Sequence, residues 1–194
     1  MHKGEITRQR IIERAAPIFN ERGYAGCSMH DVMEATGLEK GGLYRHFSTK
    51  EELAAEAFRY SLAKVAKLRT EDLDRSQGSV HLLRAFIARF VEKTSPVRGG
   101  CPLLNTAVDA DDGNRVLREL AREAFKDWRE RLAKVVTEGI RNGEIRASAN
   151  PRQIANTIIA TLEGALMMSR LEGNKTALRD AQAALDTVLG CLTA

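Results

Sequence analysis

A chain of 194 residues, 43% hydrophobic and 29% charged, is long enough to bury its own core and too apolar to be disordered. Its formal charge of +4, from 30 Lys/Arg against 26 Asp/Glu, admits a polyanionic partner without requiring one. No apolar run approaches the roughly 18–20 residues that cross a bilayer, the opening MHKGEITRQR has no apolar segment behind it, and Cys27, Cys101 and Cys191 have no metal-ligand spacing. Membrane, secreted and disulfide-stapled classes are therefore excluded, and a reduced cytoplasm is the expected location. Residues 1–50 hold 8 Lys/Arg and 6 Asp/Glu, so the first quarter is slightly the more basic.

Apolar residues recur at helical spacing along the chain, and no stretch alternates as a strand would. Ile11, Ile12, Ala15, Ala16 and Phe19 mark one face of a first helix ending near Arg22-Gly23, with Pro17 inside it where a bend is expected. Ser28-Met29-His30-Asp31 is a capping signature that opens a short second helix, and Gly37 stops it. Glu39 to Phe47 predicts a third helix, although Gly41 and Gly42 lower its propensity. Thr49-Lys50-Glu51-Glu52 caps a fourth, amphipathic helix carrying Leu53, Ala54, Ala57, Phe58, Ser61, Leu62 and Val65.

The polar stretch Thr70 to Ser79 is the best boundary, dividing the chain into 5–65 and 66–194. A fifth helix follows through Leu82, Leu83, Phe86, Ile87, Phe90 and Val91. Pro102 opens a sixth through Val108. A long seventh runs from Val116 to Ile140, Asn150-Pro151 opens an eighth, and Thr176 to Leu192 gives a ninth. The fold class is thus all-α with about nine helices, an N-terminal three-helix domain and a C-terminal helical domain.

A capped short helix, a glycine turn and a second short helix form a helix-turn-helix over about residues 28–47. The run SMHDVMEATGLEKGGLYRHF, residues 28–47, followed by Ser48-Thr49-Lys50-Glu51-Glu52-Leu53, closely resembles the DNA-binding domain of the TetR (tetracycline repressor) family, in particular its AcrR-like members. Ala15-Ala16, Phe19 and Gly23-Tyr24 fit the same pattern, and the resemblance covers about residues 5–60. It implies a homodimer that binds a palindromic double-stranded operator as a transcriptional repressor and is released by a small effector. It also implies that Lys40, Tyr44, Arg45 and His46 face the duplex, with Tyr44 and Lys50 on phosphates and Ser28 capping the second helix while reaching a phosphate. Gly41 and Gly42, without side chains, let the backbone approach DNA closely. Arg45 is the expected base reader, most suited to guanine O6 and N7. Leu43 and Phe47 are expected to anchor the helix in a small core with Val32, Leu38 and Leu53.

In the eighth helix Ile154, Ile158, Ile159, Leu162, Ala165, Leu166, Met167, Met168 and Leu171 spread over most of the circumference, wider than one core-facing stripe. Either the helix is fully buried or it meets a second chain. The dimer expectation places Ile158, Ile159, Leu162, Ala165 and Leu166 with Leu185, Val188 and Leu189 at the interface. For the effector, Phe86, Phe90, Leu104, Phe125, Trp128 and Met168 are candidate pocket residues with Asn105 as polar handle, which suits an apolar or aromatic molecule. Cys101, at a helix start near Arg98, is a further candidate for that pocket and for a thiol sensor.

Catalytic signatures are missing from the sequence: there is no phosphate loop, His-Glu-x-x-His or Gly-x-Ser-x-Gly. Asp109-Ala110-Asp111-Asp112-Gly113 fails as a calcium loop, because Asn114 and Leu120 stand where glycine and glutamate are needed. Ser61 of Ser61-Leu62-Ala63-Lys64 lies on an apolar face, and the histidines at 2, 30, 46 and 81 form no cluster. No enzyme activity, catalytic residue, metal or cofactor is expected. The alternatives are an activator, a redox-sensing variant using Cys101, or a helical ligand-binding or oligomerisation module without specific DNA binding.

Overall fold

The structure, a computed structural model, describes residues 3–73, 77–111 and 113–193. Asp112 of the acidic loop, residues 74–76 of the boundary stretch and His2 lie outside them. Among the described residues the chain is all-α, with nine helices and no strand beyond an isolated Ile145–Thr193 bridge. The helices are α1 Lys3–Arg22, α2 Met29–Thr36, α3 Lys40–Tyr44, α4 Lys50–Thr70, α5 Ser79–Glu92, α6 Pro102–Asp109, α7 Arg115–Arg141, α8 Pro151–Glu172 and α9 Thr176–Gly190. Helix α1 continues through Pro17 and so does not end there. Helix α3 stops at Tyr44 rather than at Phe47, although His46 and Phe47 still donate to the Leu43 carbonyl.

The helices gather into two compact units, one of Met1–Ala66 with Ser95–Ala124 and one of Lys67–Thr94 with Phe125–Ala194. The segment carrying α6 thus groups with α1 to α4, across the boundary expected near residue 66. Side-chain amides explain the grouping. Asn20 donates to the Arg98 carbonyl at 2.6 Å, and Asn105 donates to the Asn20 and Gly99 carbonyls at 3.0 and 2.8 Å. The Asp109 carboxylate accepts from the Tyr24 amide at 2.7 Å, and Asn114 donates to Glu51 at 2.6 Å. The Asn105 bond to the Asn20 carbonyl satisfies an acceptor in the last turn of α1, where the helix leaves its carbonyls open.

The first unit has a core of Ile11, Ile12, Ala15, Ala16, Cys27, Val32, Leu43, Phe47, Leu53 and Ala57, with Leu38 partly buried against it. Burial pushes the Cys27 thiol up to about 11, with the Asp31 carboxylate adding to the shift. The thiol therefore stays protonated and unreactive at neutral pH.

In the second unit α8 pairs with α9 and both meet α5 over a core that includes Leu83, Ile87, Val136, Ile158, Leu162, Leu185 and Leu189. Asn150 caps α8 through Gln153 N–H, with Pro151 next and Gly173 closing the helix at φ 69°, the cap-then-proline order expected from the sequence. Glu144 acts as a remote cap of α5, accepting from the Ser79 amide at 2.6 Å.

Candidate nucleic-acid interface

The helix-turn-helix begins with a complete capping box. The Ser28 hydroxyl oxygen accepts from the Asp31 amide at 3.2 Å, while the Asp31 carboxylate accepts from the Ser28 amide at 2.7 Å and from its hydroxyl. Arg22 of α1 reaches the same carboxylate at 2.8 Å. Gly37, at φ 68°, ends α2 and donates to the Met33 carbonyl. Arg10 binds the Thr36 carbonyl at 3.0 Å, and the Arg8 guanidinium lies 4.7 Å over the Phe47 ring. Three arginines of α1 are thus engaged with α2 and with Phe47 beyond α3.

Together the Ser28 hydroxyl, the Ser28 amide and Arg22 hold the Asp31 carboxyl at about 2, against an ordinary 3.8. Because the folded value is the lower one, the contribution of the box is complete above 3.8 and is lost as the pH falls through about 2. A carbon-13 titration of the Asp31 side-chain carboxyl should give a midpoint near 2. A midpoint at the ordinary carboxylate value would mean that Ser28 does not hold it.

Leu43 and Phe47 are fully buried and fix α3 to the core. On the other side Lys40, Gly41, Tyr44 and Arg45 are exposed, with Gly42 and His46 half-buried. Lys40 lies 6.0 Å from the Tyr44 ring centroid. Arg45 has no ion pair among the described residues, so its five donors are available to a partner. The expected readers Lys40, Tyr44, Arg45 and His46 therefore follow one another along a five-residue helix and its exit.

Two expected contact residues are occupied within the protein. The Ser28 hydroxyl proton goes to Asp31. The Lys50 ammonium donates to the Tyr24 and Cys27 carbonyls at 2.9 and 3.1 Å and lies 4.0 Å from the Tyr24 ring centroid. Sequence reading did not identify this staple between the start of α4 and the α1–α2 turn, and it also missed the Asn20–Asn105–Asp109 clamp. Neither carries a local sequence signal, because most of the backbone groups concerned lie more than 20 residues away.

The expected effector and dimer residues fall in several different surroundings. Phe90 stacks on Trp128 with centroids 6.3 Å apart and planes at 8°, and Phe86 tilts against the same ring at 6.3 Å. They pack on one another as core. Phe125 and Met168 are instead 37% and 48% exposed, since their arcs of α7 and α8 turn away from that core. Cys101 is buried at the N-cap of α6, and Leu104 and Asn105 lie on α6, within the first unit. A cleft in that unit is lined by Phe19, Tyr24, Phe58, Asn105 and Asp109 among others; of the expected pocket residues it contains Asn105.

At the expected interface Ile158, Ile159, Leu162, Ala165, Leu185 and Leu189 are buried within their own chain, and Leu166 is half-buried. These side chains pack in the α5–α8–α9 core of their own chain. Val188 is 39% exposed, and neighbouring apolar residues of α8, Met167 and Leu171, are 52% and 81% exposed.

Residues 11–57 match the family described as bacterial regulatory proteins, tetR family, and residues 79–185 match the tetracyclin repressor-like C-terminal domain. The chain belongs to the TetR family. It is 43% identical to a TetR transcriptional regulator from Chloroflexus aurantiacus of known crystal structure, with a TM-score of 0.93 over 100% of this chain and 98% of that one. It is 28% identical to the HTH-type transcriptional repressor DhaR of Mycobacterium sp., over 88% of this chain and 86% of the relative. It is 29% identical to the HTH-type transcriptional regulator LmrA of Bacillus subtilis, over 89% and 90%. This TetR-family protein is a helix-turn-helix, DNA-binding transcriptional regulator. Among the described residues no helix is long and apolar enough to cross a membrane.

Proposed function

We propose that this regulator is a homodimeric repressor that binds a pseudo-palindromic operator in the bacterial cytoplasm and is released by a small apolar or aromatic effector. It acts by binding alone, without catalysing a reaction. The observation that carries the operator reading is α3 itself. It is anchored by Leu43 and Phe47, preceded by a fully capped α2, and carries an exposed Arg45 between Tyr44 and His46 with Lys40 one turn earlier. Arg45 reads a base edge, Lys40 and Tyr44 meet phosphates, His46 faces the duplex, and Ser28 and Lys50 hold the frame. For a dimer, the support is the exposed apolar and small-residue arc of α8 and α9. Release by an effector requires that it bind the arrangement unable to span two half-sites more tightly.

Selection of duplexes from a random-sequence pool tests the operator reading directly. Wild-type protein should enrich a two-fold-related sequence whose half-sites lie in register with the helical repeat. Arg45→Ala should then lose roughly 1–3 kcal/mol of discrimination at one base pair of each half-site while still binding random DNA. Equal losses on selected and random duplexes would remove Arg45 as the base reader.

A further inference from the structure

Gly41 and Gly42 occupy the first turn of α3, and nothing in the protein's own packing calls for them. Elsewhere in this unit glycine is enforced: Gly37 needs its φ of 68°, and a Cβ on Gly23 would lie 2.5 Å from the Asp109 carboxylate. On Gly41 an added Cβ meets nothing within 4 Å, and on Gly42 its nearest neighbour is Leu38 Cδ2 at 3.7 Å, an ordinary contact. Neither residue has a positive φ, so alanine fits both. Each glycine in place of alanine weakens a helix, and here the helix is five residues long with no side-chain cap from Glu39. Stability is given up twice in succession on the side of α3 that also presents Lys40, Tyr44 and Arg45.

We infer that Gly41 and Gly42 are specificity-determining residues, whose bare backbone lets α3 seat in the major groove at the depth where Arg45 reaches base edges. The groove, about 12 Å wide, only just admits a helix with its side chains. A methyl on the leading turn moves the contact surface outward by about 1.5 Å. Hydrogen bonds to base edges do not survive such a displacement, whereas contacts from long side chains to phosphates adjust to it. The loss therefore falls on sequence readout and spares general attraction to DNA. This inference rests on the operator reading above.

The test uses the full-length protein and the duplex that wild type itself enriches from the random pool. Gly41→Ala and Gly42→Ala should each raise the melting temperature by roughly 1–4 °C. Each should weaken binding to the selected duplex by roughly ten-fold or more and leave binding to a random duplex unchanged. Unchanged or tighter binding to the selected duplex would overturn the inference. So would equal losses on both duplexes, or a lowered melting temperature, which would make the glycines structural. If wild type enriches no sequence, the operator reading fails first and takes this inference with it, a result visible before any variant is made.

Discussion

Gly164→Arg should elute as a monomer where the wild-type chain elutes as a dimer, and its affinity for the selected duplex should fall by roughly 10²–10⁴, the effective-concentration advantage of two linked half-sites. Within one chain Gly164 has room: an added Cβ meets nothing within 4 Å. Exchanging a helix-interior glycine for arginine also favours the helix by nearly 1 kcal/mol. The variant should therefore keep its helical fold, checked by its circular dichroism, so that loss of DNA binding reports on assembly. What it meets is the arc of α8 running Thr157, Ala160, Thr161, Gly164, Met167, Met168 and Leu171, exposed or half-exposed along its length. Leu171 is 81% exposed, and Val188 continues the surface on α9 at 39%. Small residues at helical spacing let two helices approach closely, and flanking methionines and leucine supply the apolar contact. A guanidinium placed there would be buried without a partner, at a cost of several kcal/mol. A Gly164→Arg chain that still elutes as a dimer would move the interface elsewhere.

That surface illustrates what helical periodicity records and what it leaves out. The spread of apolar residues around α8 predicts apolar groups both inside and outside the chain's own core. It gave their angular spacing but not which side meets the chain's own core. The branched residues Ile158, Ile159 and Leu162 turn inward and fill the space in the α5–α8–α9 core. Met167, Met168 and Leu171, no less apolar, lie outside it. Local signals were read well: the Ser28–Asp31 box, Gly37 as terminator and the Asn150-Pro151 start all concern groups within four residues of one another. Bonds between distant segments left no such trace. Asn105 was taken as a polar handle for an effector, yet its amide serves the Asn20 and Gly99 carbonyls, acceptors that every sequence possesses. Aromatic content is equally silent about use: Phe86 and Phe90 both pack against Trp128.

Lys50 is the sharpest instance of that difference, and its substitution should separate two roles. Read as a phosphate contact, Lys50→Ala would leave the fold intact, weaken all duplexes alike and flatten the salt dependence of binding by about one unit. The geometry leads to another expectation. Its ammonium donates to the Tyr24 and Cys27 carbonyls and rests on the Tyr24 ring, tying the start of α4 to the turn that enters α2. Charge-assisted hydrogen bonds of this kind and a cation–π contact each contribute on the order of 1 kcal/mol or more. Alanine also leaves two carbonyls without their donor. Lys50→Ala should therefore destabilise the helix-turn-helix unit by about 2–4 kcal/mol, seen as a lower denaturant midpoint for that unit. Amide exchange should accelerate first between residues 24 and 53, where the staple and the Leu53 packing meet. The fraction that remains folded should bind the selected duplex with an unchanged salt slope. A flattened slope at an unchanged midpoint would instead mean that DNA draws Lys50 away from both carbonyls.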